Sequence, residues 1–535
     1  MRHKNLKEKI MPSIIFKNAL IVDGTGREPF ISDLKVSGTR IKEIGRLTPG
    51  EDDLVIDAQG LALCPGFIDA HGHSDYHLLV VPSGESKILQ GMTTEIGGNC
   101  GYSAGPVYGE VKKEREKFLK DELGINLNFQ ELKDYFAELE EKKLGINFVE
   151  LVGYNTVRAN VLGYRRSAPD KKEMKKIHAQ IKNALEQGAS GMSAGLIYAP
   201  GTYTDADELA DALAPVAEAK GIFACHIRSE GDRLLEAIEE FISIGRRAKV
   251  RLELSHLKTG GPRNWHKLDR AFELIENAQK DGIEIKADRY PYTASFTSLN
   301  AVLPDWVFEG GEKEYRRRLK QEKERIKEDM EKQYEASYWD RIRVAECFGE
   351  RRAEFEGKTI SEMAFSEKRS AIEFVVDFLE NEEVSPNAIF YSMSEDNMVR
   401  IFQKPWVMLG SDSGARGFTG VLAKGKPHPR VFGAFPRFFR EFVLERKLLS
   451  LEEAVKRCTF LPAEWFRVIE RGKIQEGFYA DLVLFDPEKI SDSASFENPF
   501  QAPLGIEMVL VNGEIAVEKG KLSGRMAGRV LRKGR

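Results

Sequence analysis

Two histidines separated by one residue follow an apolar run near the start of the chain. Residues 61–75 read LALCPGFIDAHGHSD and carry His71 and His73 just past their apolar part. On an extended strand, residues two apart point to the same side, and neutral imidazole nitrogen is a good zinc ligand. The pair alone fits two polar residues leaving a strand equally well, so a metal site requires ligands at other strand ends.

Four further strand-like runs end in side chains that bind metals or carry protons. The four runs are 93–100, 221–226, 251–256 and 406–412, which end in Cys100, His226, His256 and Asp412. In a barrel of parallel strands, the C-terminal strand ends open onto one face, where such barrels keep their chemistry. The five strand ends together therefore predict one shared site.

The types of these residues indicate zinc chemistry. Cys100, His226 and His256 form a Cys/His/His set that leaves open the fourth position a catalytic zinc requires. Zinc would hold the thiol deprotonated, and one tightly bound ion is expected. His71 and His73 could form a second, looser metal position that shares Cys100 as a bridge.

The remaining polar residues suit hydrolysis of an anionic substrate. Asp412 is the expected proton shuttle, because a carboxylate beside the metal can take a proton from water and deliver it to a departing amine. Lys258 lies two residues past His256, Tyr290 and Tyr292 lie at the seventh predicted strand end, and Arg430 lies in the segment beyond Asp412. Arginine grips a carboxylate with two hydrogen bonds, and tyrosine hydroxyls can assist it.

Length and charge limit the class of protein. A chain of 535 residues with 42% hydrophobic content can bury a large core and form a barrel domain plus a smaller one. The net charge of -4 gives no basic field, so neither nucleic acid nor a membrane surface is predicted as a partner. A small neutral or anionic molecule fits better.

The five cysteines lack CxxC spacing, which excludes a zinc ribbon and a disulfide framework. Thiols of this kind fit a reducing cytosol. The first ten residues lack the apolar core of a signal peptide, and no stretch of about 18 apolar residues occurs. The expected location is therefore cytoplasmic.

Apolar alternation with Gly and Asp turns predicts hairpins at both ends of the chain. We expect residues 13–63 and 470–535 to form one small β-sandwich domain, and residues 1–12 to be a disordered leader. Between them, strands alternate with amphipathic helices, which is typical of βα units. The candidate strands end near His71, Cys100, Gly153, Gly195, His226, His256, Tyr290 and Asp412.

Eight strands are the number a TIM (β/α)8 barrel needs. The sequence thus predicts an α/β chain with a distorted TIM barrel over residues 64–469. The last connection is far longer than an ordinary βα loop, which predicts an inserted helical segment at about 304–390 over the barrel mouth.

Several motifs resemble one known family, the N-acyl-D-amino-acid deacylases (D-aminoacylases) of the metal-dependent amidohydrolase superfamily. The motifs are PGFIDAHGH at 65–73, GGNCG at 97–101, GLIYAPG at 195–201, SHLK at 255–258, YPY at 290–292 and GSD at 410–412. The resemblance covers nearly the whole chain. It implies a distorted barrel with a sandwich from both termini, zinc at Cys100, His226 and His256, and Asp412 as catalytic acid and base.

The same resemblance implies Tyr198, Lys258, Tyr290 and Arg430 as substrate contacts, with Arg416 as an alternative to Arg430. Strand four reads GMSAG and lacks the carboxylated lysine that bridges two metals in many amidohydrolases. Cys100 would then be the bridge.

Three functions remain open at this point. The main hypothesis is zinc-dependent hydrolysis of N-acyl-D-amino acids. A dipeptidase acting on dipeptides with a C-terminal D-residue would recognise the same amide and carboxylate. A non-catalytic scaffold on an amidohydrolase fold is the third, because fold alone does not define function.

Overall fold

The computed structural model of the protein describes residues 13–348 and 352–534, so the predicted leader at 1–12 lies outside the described residues. In chain order, the strands are β1 (Ile14–Ile21), β2 (Phe30–Ser37), β3 (Arg40–Gly45), β4 (Leu54–Asp57), β5 (Ala62–Pro65), β6 (Phe67–Asp69), β7 (Met92–Gly97), β8 (Asn147–Glu150), β9 (Val152–Gly153), β10 (Gly191–Gly195), β11 (Ile222–His226), β12 (Arg251–Leu254), β13 (Ile285–Arg289), β14 (Ala294–Ser298), β15 (Ile342–Glu346), β16 (Asn387–Tyr391), β17 (Val407–Leu409), β18 (Leu482–Phe485), β19 (Ile506–Val511), β20 (Glu514–Glu518) and β21 (Lys521–Leu522).

The α-helices are α1 (His77–Val80), α2 (Glu85–Ile88), α3 (Gly109–Leu123), α4 (Leu132–Lys142), α5 (Tyr154–Leu162), α6 (Lys171–Gln187), α7 (Ala206–Ala212), α8 (Ala214–Glu218), α9 (Leu234–Ala248), α10 (Leu268–Lys280), α11 (Glu312–Gln321), α12 (Lys323–Gln333), α13 (Arg352–Phe355), α14 (Ile360–Ser366), α15 (Ala371–Asn381), α16 (Glu395–Phe402), α17 (Arg430–Phe438), α18 (Leu451–Cys458) and α19 (Phe460–Phe466). Phe439–Glu445 continues α17 as a π-helical segment, and short 3-10 turns occur elsewhere.

Strands from both ends of the chain share one hydrogen-bonded sheet. Over the described residues its order is β21-β20-β19-β18-β5-β1-β2-β3, with β4 paired to β1. The two halves meet where β18 pairs antiparallel with β5, with Val483 opposite Cys64. A bridge between Arg40 and Tyr479 brings the outer edge of β3 back to the segment that leads into β18.

The central strands run parallel to one another. β6, β7 and β8 form one parallel set, and β9, β10, β11, β12, β13 and β17 form another, with only Leu151 between β8 and β9. The outer strands of the two sets are joined because Ala70 N donates to Leu409 O across 3.3 Å and Asp412 N donates to His71 O across 2.7 Å. All residues of β7, β10 and β11 are buried, as expected for parallel strands covered on both faces.

Helix α6 illustrates how the helices beside these strands are capped and packed. Asp170 caps α6 by accepting from the Lys172 and Glu173 backbone, and Glu173 reaches back to complete a capping box. The helix then buries residues 174, 177, 181, 184 and 185, the spacing of one apolar face.

The long connection between β13 and β17 forms a separate layer with its own core. It contains α11–α15 and the antiparallel sheet β14-β16-β15. A distinct cluster of buried apolar side chains, from Leu299 to Phe390, holds this segment together. We call residues 294–391 the insertion.

In the described part of the chain, none of the helices combines the length and the apolar character needed to cross a bilayer.

Candidate metal centre

The two histidines of the His-x-His motif lie in the turn after β6, and the Nε2 atoms of both rings lie within 4 Å of Asp412 Oδ1. His71 is fully buried, and its Nδ1 lies 2.9 Å from Asp288 Oδ2. This contact directs His71 Nε2 toward Cys100 Sγ, 3.4 Å away. Gly72 between the histidines has a steric reason, because a Cβ there would lie 2.1 Å from Glu95 Oε1.

The Cys100 thiol lies at the centre of a group of histidines. Its Sγ is 3.4 Å from His71 Nε2, 3.8 Å from His226 Nδ1 and 3.5 Å from His256 Nε2. Burial raises the pKa of this thiol, but the charge of His71 and the hydrogen bonds of His226 and His256 outweigh burial and hold the pKa well below its usual range. The residue is thus set up as a thiolate, the form that binds metals.

These separations fit a shared zinc ion. Sulfur at about 2.3 Å and nitrogen at about 2.0–2.1 Å from a tetrahedral zinc lie about 3.5 Å from each other. The three measured separations around Cys100 fall at 3.4–3.8 Å. Within the described ranges, the groups whose ligand atoms lie within 4.8 Å of one another are His71–Cys100–His256, His71–His73–Asp412, His226–Glu230–His256 and His71–Glu253–Asp288.

A carboxylate that was not predicted from the sequence contacts one of the histidines and lies near a second. Glu230 Oε1 lies 2.9 Å from His256 Nδ1, and Glu230 Oε2 lies 3.7 Å from His226 Nε2. A carboxylate behind a ligating histidine fixes its tautomer and raises its basicity. Glu230 stands four residues past His226, in HIRSE, and a carboxylate that close to a strand-end histidine is the signal that could have identified it.

Asp412 lies opposite this group, in the turn after β17. Its Oδ1 is 3.1 Å from His73 Nε2, and Arg430 Nη1 donates to its Oδ2 across 2.8 Å. Burial raises the pKa of Asp412, but the Arg430 charge and the His73 contact outweigh it and hold that pKa well below the usual range. The carboxylate is therefore ionised at neutral pH and able to accept a proton.

These residues face one large cavity of about 1880 Å³. Its walls include His73, Cys100, Tyr198, His226, His256, Lys258, Asp412, Arg416 and Arg430, together with residues of the insertion such as Leu303 and Tyr338. The structure thus brings the cysteine, the four histidines and the aspartate into one region. The predicted set Cys100, His226 and His256 is not one of the groups in the described residues whose ligand atoms all lie within 4.8 Å of one another, whereas His71, Cys100 and His256 are.

Of the four predicted substrate contacts, Tyr198, Lys258 and Arg430 line this cavity, whereas Tyr290 is fully buried and does not reach it. Tyr198 stacks edge-on against His226, and its hydroxyl is 3.1 Å from Thr297 Oγ1 in the insertion. Lys258 Nζ forms an ion pair with Glu230 and lies 2.8 Å from His256 Nδ1.

Arg430 and Tyr290 form a stacked pair. The Arg430 guanidinium lies 4.5 Å from the centre of the Tyr290 ring. The Tyr290 ring is fully buried behind it, and its hydroxyl has no hydrogen-bond partner among the described residues. His428 supports Arg430, because its Nδ1 accepts from the Arg430 backbone N across 3.0 Å.

Arg416, the alternative to Arg430, is engaged with the insertion. Its guanidinium pairs with Glu346 of β15 and donates to the Leu422 carbonyl across 3.4 Å. Arg416 thus joins the turn after Asp412 to the layer above the cavity.

The chain was compared with known proteins. The amidohydrolase family model matches residues 54–289 and 341–517 and leaves out the first part of the insertion. The N-acyl-D-glutamate deacylase of Alcaligenes xylosoxydans xylosoxydans is 32% identical, over 99% of this chain and 98% of its own. The crystal structure of N-acyl-D-glutamate deacylase from Bordetella bronchiseptica, complexed with zinc and a phosphonate inhibitor, is 33% identical, with a TM-score of 0.82 over 97% of this chain and 99% of that chain. A D-aminoacylase structure with a binuclear metal centre covers the same shares, at 31% identity and a TM-score of 0.82.

These matches confirm the resemblance to N-acyl-D-amino-acid deacylases that was predicted from the sequence motifs. The family model extends over more than half of the chain, and the curated relative is similar along almost all of it. The architecture is accordingly the α/β amidohydrolase fold with a parallel sheet. The chain belongs to the amidohydrolase family.

Proposed function

We propose that the protein is a zinc-dependent hydrolase that cleaves the amide bond of N-acyl-D-amino acids and releases a carboxylic acid and a D-amino acid. The observation that carries this proposal is the Cys100 thiol among three histidine nitrogens at 3.4–3.8 Å, with the ionised Asp412 beside them. The names of the deacylases that are similar over nearly the whole length support the substrate class.

The residues present define where zinc would be held. Cys100, His226 and His256 would hold one ion tightly, and His71 with His73 would hold a second, weaker one that shares Cys100. Support for sharing comes from the thiol, which lies within 3.8 Å of ligands of both positions. Bound zinc would lower the pKa of water at the site and polarise the amide carbonyl.

Asp412 supplies the proton transfer. Arg430 helps to keep the Asp412 carboxylate ionised at neutral pH, so this group is free to accept a proton from water as the amide carbon is attacked. The same carboxyl then delivers that proton to the departing nitrogen, which leaves as the amine of the amino acid. Its Oδ1, 3.1 Å from His73, is the oxygen nearest the metal ligands.

The α-carboxylate of the substrate would be held by Arg430, with Tyr290 behind it. Arg430 uses Nη1 for Asp412, while its Nη2 makes a long 3.5 Å contact with Phe296 O. This second nitrogen would therefore be available to an anionic group. Lys258 and Tyr198 also line the cavity and would contact the substrate from the side of His256 and His226.

The fold completes the proposal. We propose that the parallel strands close into a distorted TIM barrel spanning residues 64–469, which the bonds between the β6 and β17 ends support. Residues 13–63 and 470–535 would form the β-sandwich domain, and residues 304–390 the inserted segment over the site. All five cysteines are buried free thiols, which favours a cytoplasmic location.

A small panel of substrates tests the function directly. The protein loaded with zinc would be assayed with N-acetyl-D-amino acids, N-acetyl-L-amino acids and L,D-dipeptides. We expect hydrolysis of the first set with kcat/KM at least about tenfold above the other two. A preference for dipeptides would reassign the protein as a dipeptidase. A protein that takes up no zinc and hydrolyses none of the three substrate sets would favour a scaffold.

A further inference from the structure

A lysine outside the cavity connects the segments that carry His73 and Asp412. Lys87 of α2 is fully buried, and its Nζ lies 2.7 Å from Asp69 Oδ2, 2.8 Å from Ser411 Oγ and 2.7 Å from Ser413 O. An ammonium group has three N–H donors, so these three acceptors use all of them.

The two serines stand on either side of Asp412. Asp412 has φ +51°, a left-handed conformation that few L-residues adopt without support from their surroundings. On the side of Ser411, the backbone N donates to Asp69 Oδ1 across 2.7 Å, and Asp412 N itself donates to His71 O across 2.7 Å. The backbone of Asp412 is therefore held at three consecutive residues.

The same lysine reaches the His-x-His segment. Ser413 O, which accepts from Lys87, also accepts from His73 N across 3.0 Å. Glu95 lies 3.3 Å from Lys87 and accepts from the backbone N of Ser74 across 2.9 Å. The Lys87 ammonium thus connects the chain segment that carries His73 with the segment that carries Asp412. The side chains of His73 and Asp412 are 3.1 Å apart.

The charge of Lys87 is retained in this setting. Burial lowers its pKa, but Asp69 and Glu95 outweigh burial and raise it. A buried ion is costly, and an apolar side chain could fill the same volume. The directional hydrogen bonds are what an apolar residue would not provide.

We propose that Lys87 is a positioning residue, which fixes Asp412 and His73 relative to each other for proton transfer and for the second metal position. The inference rests on the proposed function for its catalytic part. Lys87 acts only through these two residues, since it does not line the cavity.

Two variants separate positioning from general stability. Lys87→Met removes all the donors, and Ser411→Ala removes one acceptor, so Ser411→Ala answers the question if Lys87→Met does not fold. Each is made in the parent and in an Asp412→Asn background, and kcat and KM are measured with an N-acetyl-D-amino acid. Arg471→Met is the control, because Arg471 is a similarly buried partner of Asp481 in the terminal region.

In the parent, we expect Lys87→Met to lower kcat by roughly a hundredfold and Ser411→Ala by about tenfold, with KM within about threefold, the scale of a small displacement of a catalytic group. In the Asp412→Asn background, both changes should lower the residual kcat by less than about threefold. Arg471→Met should lower the melting temperature and leave kcat of the folded protein unchanged. Equal losses in both backgrounds, or no loss in the parent, would overturn the proposal.

A zinc titration provides a readout that does not need catalysis. The variants Lys87→Met and Ser411→Ala should bind the first zinc equivalent as tightly as the parent does. They should bind the second equivalent about 10- to 100-fold more weakly. Unchanged binding of the second equivalent would contradict the positioning of His73. If the parent hydrolyses no N-acyl-D-amino acid, the proposed function is wrong, and this titration still decides the role of Lys87.

Discussion

Arg430 donates a hydrogen bond to Asp412 across 2.8 Å, and both residues are more than nine-tenths buried. The same guanidinium has a second nitrogen directed to the cavity side, near Phe296 O at 3.5 Å. One cation therefore adjusts the proton shuttle and, in the proposed function, holds the substrate carboxylate. Binding and chemistry are coupled at this residue, and substitutions in the site distinguish the two roles.

Cys100→Ala should remove the metal and the activity together, because the thiol lies within 3.8 Å of His71, His226 and His256. Metal content per chain, measured on purified protein, checks this. Cys458→Ala is the matched control, since it removes a buried sulfur at the end of α18 and should keep both. Full zinc content in the Cys100 variant would refute the site.

Asp412→Asn should retain the tightly bound zinc and lose at least about a hundredfold in kcat, the usual scale for a lost general acid and base. Asparagine keeps the shape of the side chain and does not accept the proton. Zinc analysis and steady-state kinetics on one preparation provide both measurements. A kcat within a few-fold of the parent across the pH range would mean that another group moves the proton.

Arg430→Ala should affect acidic substrates selectively. If Arg430 holds the α-carboxylate, its loss costs about 3 kcal/mol, or roughly a hundredfold, in kcat/KM for an N-acyl-D-amino acid. The corresponding neutral amide never made that contact, so any loss on it reports the effect on Asp412 alone. The ratio of the two kcat/KM values is the measured quantity. A ratio equal to that of the parent points instead to Arg416 or Lys258.

Arg430→Gln should also change the dependence of kcat on pH. The Arg430 charge lowers the pKa of Asp412, whereas burial raises it. Removing the Arg430 charge takes away the largest of the causes that lower this pKa, so the pKa of Asp412 rises and activity is lost at a higher pH as the solution is acidified. The acid limb of kcat against pH should therefore move upward, while Arg416→Gln should leave it in place. An unmoved acid limb in the Arg430 variant would contradict this coupling.

Glu230→Gln should weaken zinc binding without abolishing it. The Glu230 carboxylate lies 2.9 Å from His256 Nδ1, and loss of such a partner typically costs 10- to 100-fold in metal affinity. Competition with a chelator measures the affinity. Glu239→Gln, an exposed change on α9, serves as the control. Equal zinc affinities in the two variants would mean that Glu230 does not support His256 as a ligand and serves only as the ion-pair partner of Lys258.

The residues that we propose for the site could be selected from the sequence because each lies at or just after the end of a strand. β6, β7, β11, β12 and β17 lead into His71, Cys100, His226, His256 and Asp412, and parallel strands bring such ends to one edge. The pattern is visible in the sequence since apolar runs and the residues after them are local features.

Residues that contact the site residues without lining the cavity could not be found in this way. Lys87 lies on a four-residue helix, and its contacts with Ser411 and Ser413 span 324 and 326 positions of the chain. No local pattern distinguishes it from an exposed lysine. The strands β15 and β16 were also missed, because short apolar runs between helices do not show whether they are helical or extended.

The terminal sheet has a consequence for how the protein is made. Only Gly66 separates β5 from β6, and the neighbour of β5 in the sheet, β18, comes from the other end of the chain. Arg40 in β3 likewise donates a hydrogen bond to a carbonyl 437 positions further along the chain. During translation, the His-x-His segment leaves the ribosome hundreds of residues before the strand that anchors it. Contacts of such long sequence separation form late and slowly. We therefore expect the nascent chain to acquire its metal only after the C-terminal strands have been released.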